Sequence, residues 1–152
     1  MKKHAVLLCV FALFLCVVPD LCAQSATEDK DAIVNAINVQ AGDWNKGNID
    51  GFMHAYEDSD ETIFVGAETH QGYRAVLQRY KQNYGTQAEM GKLSFSDIVV
   101  RILPNACGRA DMALATGHYH LTESTKAKTE GVFSLVWRRG PHGWKIILDH
   151  TS

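Results

Sequence analysis

Hydrophobic residues in the first half of the chain recur with helical spacing. Ile33, Ile37, Ala41 and Trp44 follow one another at intervals of four, four and three residues. This stripe predicts an amphipathic helix that starts near Asp31, with a cap region just before it. The same criteria predict a short second helix over 50–56, a strand over 61–66 and a third helix over 72–85.

After residue 85 the hydrophobic period drops from about four residues to two. Alternating patterns predict four long strands over 93–103, 110–122, 130–139 and 144–151. Glycine- and proline-containing turns separate several of them, most clearly at Gly140-Pro141-His142-Gly143. Helices followed by a strand meander indicate the α+β class: a curved antiparallel sheet packed on three N-terminal helices. Such a sheet leaves an open-ended cavity suited to a small molecule.

The N-terminus has the pattern of a secretion signal. Lys2 and Lys3 precede an apolar run over 5–18, and Ala23 supplies a small residue before Gln24. The sequence therefore predicts an exported protein, periplasmic or secreted, with no membrane association after cleavage. An uncleaved membrane anchor is the alternative, and N-terminal sequencing that begins at Gln24 would exclude it. The predicted organisation is a signal peptide over 1–23, a polar leader over 24–30 and one domain over 31–152.

Composition and charge narrow the possible partners. The chain has 152 residues, 46% of them hydrophobic and 21% charged, with a formal net charge of -2. These are values of a globular protein, and no Lys/Arg cluster of the kind that binds nucleic acid is present. Cys107 is the one cysteine beyond the predicted signal. No neighbouring base marks it as a nucleophile, so we interpret it as structural.

Several segments resemble a known superfamily. Trp44-Asn45-Lys46-Gly47-Asn48, Met90-Gly91-Lys92-Leu93-Ser94-Phe95 and the ending 143–152 are similar, in order and spacing, to nuclear transport factor 2-like domains. The similarity is to the SnoaL-like, ketosteroid-isomerase-like branch of unknown function, and also to the association domain of calcium/calmodulin-dependent kinase. It implies a cone-shaped fold and a homodimer formed through the sheet. It does not imply one activity, because the superfamily includes isomerases, dehydratases, hydrolases and binding modules.

The resemblance also implies which side chains enter the cone. Carried over from the kinase association domain, the inward set is His118, His120, Phe133, Leu135, Trp137, Asp149 and Thr151. Strict alternation along the last strand places Ile146 and Leu148 on the opposite face from Asp149. With Val132 and Val136, these two residues form an apolar outer face that a partner would cover.

His118, His120 and Asp149 are the candidate catalytic residues. A histidine titrates near neutral pH, and an aspartate can orient it or act as a base itself. Two alternatives remain open: a solvated His-x-His pair, or a metal held by both histidines and Asp149. No further histidine or cysteine spacing supports a metal.

Aromatic residues supply the candidate ligand-binding wall. Trp44, Tyr56 and Phe64 join Phe133, Leu135, Trp137 and Thr151 as predicted ligand contacts; Tyr73 and Tyr80 are interpreted as core or wall. Asp58 and Asp60, just before the first predicted strand, are alternative candidates for the acid of the site. No phosphate loop, dinucleotide motif or Ser-His-Asp order is present, so no cofactor is predicted. The predicted function is binding of a small apolar or aromatic molecule, with isomerase, dehydratase or hydrolase chemistry. A non-catalytic ligand-binding or dimeric assembly module is the alternative.

Overall fold

The computed structural model describes residues 21–105, 110–126 and 129–152. Within them the element order is α1 (Leu21–Trp44), α2 (Ile49–Met53), β1 (Ile63–Val65), β2 (Thr69–Gln71), α3 (Tyr73–Asn83), α4 (Gln87–Met90), β3 (Lys92–Pro104), β4 (Ala110–Thr122), β5 (Glu130–Gly140) and β6 (Gly143–Thr151). The α+β class is confirmed. Cys107 and residues 1–20 lie outside the described residues. None of the described helices is both long and apolar enough to span a membrane.

The described strands form one curved, unclosed sheet in the order β2-β1-β6-β5-β4-β3. Neighbouring strands run antiparallel except β1 and β6, which are parallel. The parallel pair was not predicted, because it joins strands from opposite ends of the domain. It makes the sheet mixed and brings the short β1 beside the last strand.

Helix α1 begins earlier than its hydrophobic stripe suggested. It starts at Leu21 rather than near Asp31, so the segment predicted as a polar leader is helical. Its extension is held by Asp29, which is buried although it lies in that polar stretch. The Asp29 carboxylate accepts a hydrogen bond from Trp144 Nε1 at 3.3 Å and pairs with Arg139. Both partners lie on the β5–β6 hairpin, far along the chain.

The core lies between the helices and one face of the sheet. Ile33 and Ile37 of α1 and Val76 of α3 are completely buried against Trp137 and Ile146 from the strands. Burying one such side chain stabilises a fold by roughly 1.5–3 kcal/mol. The helical and strand periodicities therefore point to the same core, and this core positions the cavity described below.

A bulge in β6 changes which of its residues face the helices. Val136 pairs with Leu148, whereas the next residue of β5, Trp137, pairs with Ile146. One extra residue in a strand reverses its alternation, because successive side chains point to opposite faces. Ile146 and Asp149 consequently both line the helix-facing cavity. The prediction that these two residues lie on opposite faces is wrong, and Ile146 is not part of the outer face.

Candidate functional site

A cavity of about 310 Å³ lies between the helices and the sheet. Its size is at the lower end of the range for small-molecule sites. The predicted residues Trp44, Tyr56, Phe64, Phe133, Leu135, Asp149 and Thr151 all line it. Trp137 is completely buried but is not part of the wall. Apart from Asp149 and one arginine, the wall is uncharged and rich in aromatic rings.

Asp149 is the acid of this cavity, and it is 3% exposed. Its Oδ2 accepts a hydrogen bond from the Tyr56 hydroxyl at 2.5 Å and from the Tyr80 hydroxyl at 3.2 Å. The two hydroxyl oxygens are themselves 3.2 Å apart. Oδ1 is buried and has no hydrogen-bond partner in the described part of the chain. A buried carboxyl group with one unsatisfied oxygen is costly, and its presence inside a cavity calls for a physical explanation.

Backbone contacts fix where the two tyrosines stand. Tyr56 follows α2 and forms an isolated parallel bridge with Ile146 of β6. The flanking amides complete this link: Ile146 N donates to Ala55 O and Glu57 N donates to Ile146 O. Tyr80 lies one turn after Val76 on the buried side of α3. Three separate elements therefore meet at one carboxylate.

Aromatic packing holds the Tyr80 ring. Edge contacts join it to Trp44, Phe52 and Phe64, with ring centroids 6.1, 5.0 and 5.9 Å away. Such pairs contribute about 0.5–1.5 kcal/mol each beyond their buried area. The Tyr80 hydroxyl is thus presented to Asp149 by a rigid cluster rather than by a mobile side chain.

The electrostatics of the cavity favour protonated groups. Burial raises the pKa of Asp149, while hydrogen bonds from Tyr56 and Tyr80 and the charge of Arg79 oppose the rise. Burial and the nearby Asp149 charge raise the pKa values of both Tyr56 and Tyr80 well above 10.0. The two hydroxyls therefore remain donors at neutral pH. A carboxylate held in apolar surroundings is a stronger base than one in water.

Counting protons shows which hydroxyl is available to a ligand. Each tyrosine has a single hydroxyl proton. Tyr56 is closest to Asp149 and donates its proton there. Tyr80 is equally far, 3.2 Å, from Asp149 Oδ2 and from the Tyr56 oxygen. Its proton can consequently turn to a ligand oxygen without breaking the Tyr56–Asp149 bond.

Comparison with known proteins agrees with this architecture. Residues 33–152 match the SnoaL-like domain family. The chain belongs to this family. A search of curated proteins found no match.

Solved structures place this SnoaL-like domain among nuclear transport factor 2-like folds. An NTF2-like protein of unknown function from Shewanella oneidensis MR-1 is 28% identical, covers 84% of this chain and 98% of its own, and gives a TM-score of 0.71. A candidate aromatic ring hydroxylase from Novosphingobium aromaticivorans is 14% identical, with coverages of 83% and 89% and a TM-score of 0.66. A candidate calcium/calmodulin-dependent protein kinase II association domain from Xanthomonas campestris is 15% identical, with coverages of 80% and 84% and a TM-score of 0.60. The last two show a shared fold alone.

The SnoaL-like cavity does not contain the two predicted histidines. Tyr119 and Leu121 are the β4 residues that line the cavity. Successive residues of a strand point to opposite faces, so both histidines lie on the other face of β4. His118 is half exposed, with Nδ1 3.2 Å from Asp97 Oδ2, and the His120 Nε2 atom is 3.0 Å from Ser96 Oγ. The predicted inward orientation of both histidines is wrong. They do not join Asp149 in one constellation.

The remaining candidates are also separated from the cavity. Asp58 and Asp60 are exposed and border a different surface depression. Among the described residues, no group of three or more His, Cys, Asp or Glu side chains is placed to hold a metal ion.

The wall includes several residues that the sequence did not single out as ligand contacts, among them Phe95 and Arg79. Phe95 meets Phe133 edge-on, with ring centroids 5.3 Å apart. Arg79 lies over the Phe64 ring. Phe95 could have been found from its alternation with Leu93 on β3, whereas Arg79 carries no signal, because arginines on a helix are ordinarily solvated.

Proposed function

We propose that this SnoaL-like domain binds a small, largely apolar molecule in the cavity and that Asp149 exchanges a proton with it. The observation that carries the proposal is the buried Asp149 carboxyl group. One of its oxygens holds the hydroxyls of Tyr56 and Tyr80, and the other has no partner in the described structure. His118 and His120 have no part in this chemistry.

The groups present support an acid–base reaction at a carbon beside a carbonyl group. The Asp149 carboxylate takes a proton from that carbon, and the electron pair of the broken C–H bond moves onto the carbonyl oxygen. The Tyr80 hydroxyl donates a hydrogen bond to the resulting oxyanion. Return of the same proton to another carbon completes an isomerisation. Transfer of that proton to a departing hydroxyl group, which leaves as water, completes a dehydration instead.

Proton exchange in D₂O tests the proposal. Unsaturated ketones and aryl ketones are incubated with the protein, and loss of the α-proton signal is followed by NMR. We expect Asp149→Asn to slow exchange by about 10²–10⁴-fold, the usual contribution of a positioned base. Tyr80→Phe should reduce the rate by a smaller factor, because it removes one hydrogen bond to the oxyanion but leaves the Asp149 base and its Tyr56 contact in place. Circular dichroism verifies that each variant is folded.

His118→Ala is the matched control, since it removes a titratable group from the outer face of the same sheet. Its exchange rate should equal that of the wild type. A rate that depends on His118, or one that survives Asp149→Asn, contradicts the proposal. Binding of these ketones without any exchange supports the second candidate, a non-catalytic binding module, whose apolar walls are the observation in its favour.

The proposal includes the setting of the domain. We expect a homodimer, in which a second copy covers the outer face of the sheet, and export of the mature chain. The nuclear transport factor 2-like fold supports the first expectation, because such domains are often ligand-binding or oligomeric. Charge and apolar patterning of residues 1–23 support the second.

A further inference from the structure

Among the residues that the structure describes, the cavity wall contains one cationic residue, Arg79. It is partly exposed, and in the described parts of the chain no carboxylate lies within ion-pairing distance of it. Arg138 and Arg139 differ, since Arg138 forms a two-point pair with Glu57 and Arg139 pairs with Asp29. Each of these two arginines thus contacts a carboxylate directly, whereas Arg79 has no such pair within the described residues.

The position of the Arg79 guanidinium is fixed without a salt bridge. Its Cζ atom lies 3.6 Å from the centre of the Phe64 ring and 5.1 Å from that of Tyr80. Stacking on an aromatic ring uses the flat face of the guanidinium. It leaves free the edge of the group, which carries the five N–H donors. A planar oxyanion matches this edge through two parallel hydrogen bonds.

We propose that Arg79 binds the carboxylate of the ligand, so that the cavity takes small aromatic or unsaturated monocarboxylic acids. The inference rests on the function proposed above and names its substrate class. The presence of Asp149 favours a ligand with a single negative charge. A dianion such as a phosphate monoester would be repelled by the Asp149 carboxylate, and Arg79 would be the one cation of the described wall available to balance the ligand and Asp149 together. Phe95, Phe133 and the other rings of the wall fit an unsaturated body.

Matched acids and amides test the assignment. Cinnamate and phenylacetate are compared with cinnamamide and phenylacetamide by calorimetry at pH 7, with phenyl phosphate as a dianion. For the wild type we expect each acid to bind about 10- to 100-fold more tightly than its amide, as charge-assisted hydrogen bonds allow. Phenyl phosphate should bind more weakly than the acids. Arg79→Gln should remove the preference for acids while leaving amide affinity nearly unchanged.

Two further variants keep the result interpretable. Arg74→Gln removes the same charge from an exposed position on α3 and should change nothing. Arg79→Lys keeps the charge without the planar fork and should retain part of the preference, which also guards against a folding defect in Arg79→Gln. Equal binding of acids and amides by the wild type, no binding of any acid, or an acid preference that survives Arg79→Gln overturns the assignment.

Failure of this inference and failure of the proposed function have different signatures. A protein that binds the amides and exchanges protons through Asp149, but shows no acid preference, keeps the proposed function and loses the role of Arg79. A protein whose acid preference depends on Arg79, but whose exchange rate does not depend on Asp149, keeps the role of Arg79 and loses the proposed function.

Discussion

Burial of the Asp149 carboxyl group makes the stability of the fold depend on pH. In the folded protein its pKa is raised above the ordinary 3.8 by burial, whereas the unfolded chain exposes it to water. Between those two pKa values the folded state keeps a proton that the unfolded state has released. The free energy of unfolding therefore falls as pH rises through this window, and the loss is complete above the folded pKa.

The prediction is that Asp149→Asn flattens this part of the pH profile. Unfolding by urea is measured from pH 4 to pH 8 for both proteins, and the stability of the wild type relative to the variant should decrease as pH rises from about 4. Asp58→Asn removes an exposed carboxylate and serves as the control. Parallel profiles for the wild type and Asp149→Asn would show that the folded protein does not retain the proton.

For individual residues of the site, the sequence predicted some orientations correctly and others wrongly. Asp149 and Thr151 were placed in the cavity by resemblance, and both line it. Simple alternation would have separated Asp149 from Ile146, because no feature of the β6 sequence marks the bulge between them. The same resemblance predicts that His118 and His120 enter the cavity, and this is wrong. Alternation along β4 defines two faces but does not tell which of them faces the helices.

At the scale of elements, the extension of α1 depends on one buried carboxylate. Asp29→Ala removes the partner of Arg139 and of Trp144 Nε1. We expect a loss of about 1–3 kcal/mol in the free energy of unfolding, because two donors lose a charged acceptor. Asp31→Ala, at an exposed position of the same helix, should stay within about 0.5 kcal/mol of the wild type. Equal stabilities of the two variants in urea would mean that the Asp29 contacts do not stabilise the fold.

The elements themselves were largely predictable because their periods are strong. The helical spacing of Ile33, Ile37 and Trp44 predicts α1. The four long strands follow the predicted ranges closely. The start of α1 was misplaced because Asp29 belongs to a polar stretch, and its partners are more than 100 residues away in the sequence. The parallel pairing of β1 with β6 is non-local in the same sense. Local propensity does not encode such contacts.

At the scale of the whole molecule, the outer face of the sheet carries a row of apolar side chains. Leu114, Val136 and Leu148 are direct cross-strand partners on β4, β5 and β6. Each is partly exposed, and Val132 and Val99 extend the surface with exposed fractions of 45% and 64%. A row of apolar side chains with exposed valines on the same face is typical of an interface. A second copy of the chain, related by a two-fold axis, is the commonest way to cover it.

The central residue of this row provides the test of the dimer. Val136→Glu places a charge on the outer face, while its neighbours Leu135 and Trp137 stay buried on the inner face. In a two-fold dimer the substitution introduces two charges into one apolar interface, and buried unpaired charges are costly. We expect light scattering to give a dimer for the wild type and a monomer for the variant, with unchanged circular dichroism. Val39→Glu, the same substitution at a 54% exposed position on α1, should remain dimeric. A monomeric wild type at tens of micromolar would contradict the dimer, and a dimeric Val136→Glu variant would place the interface elsewhere.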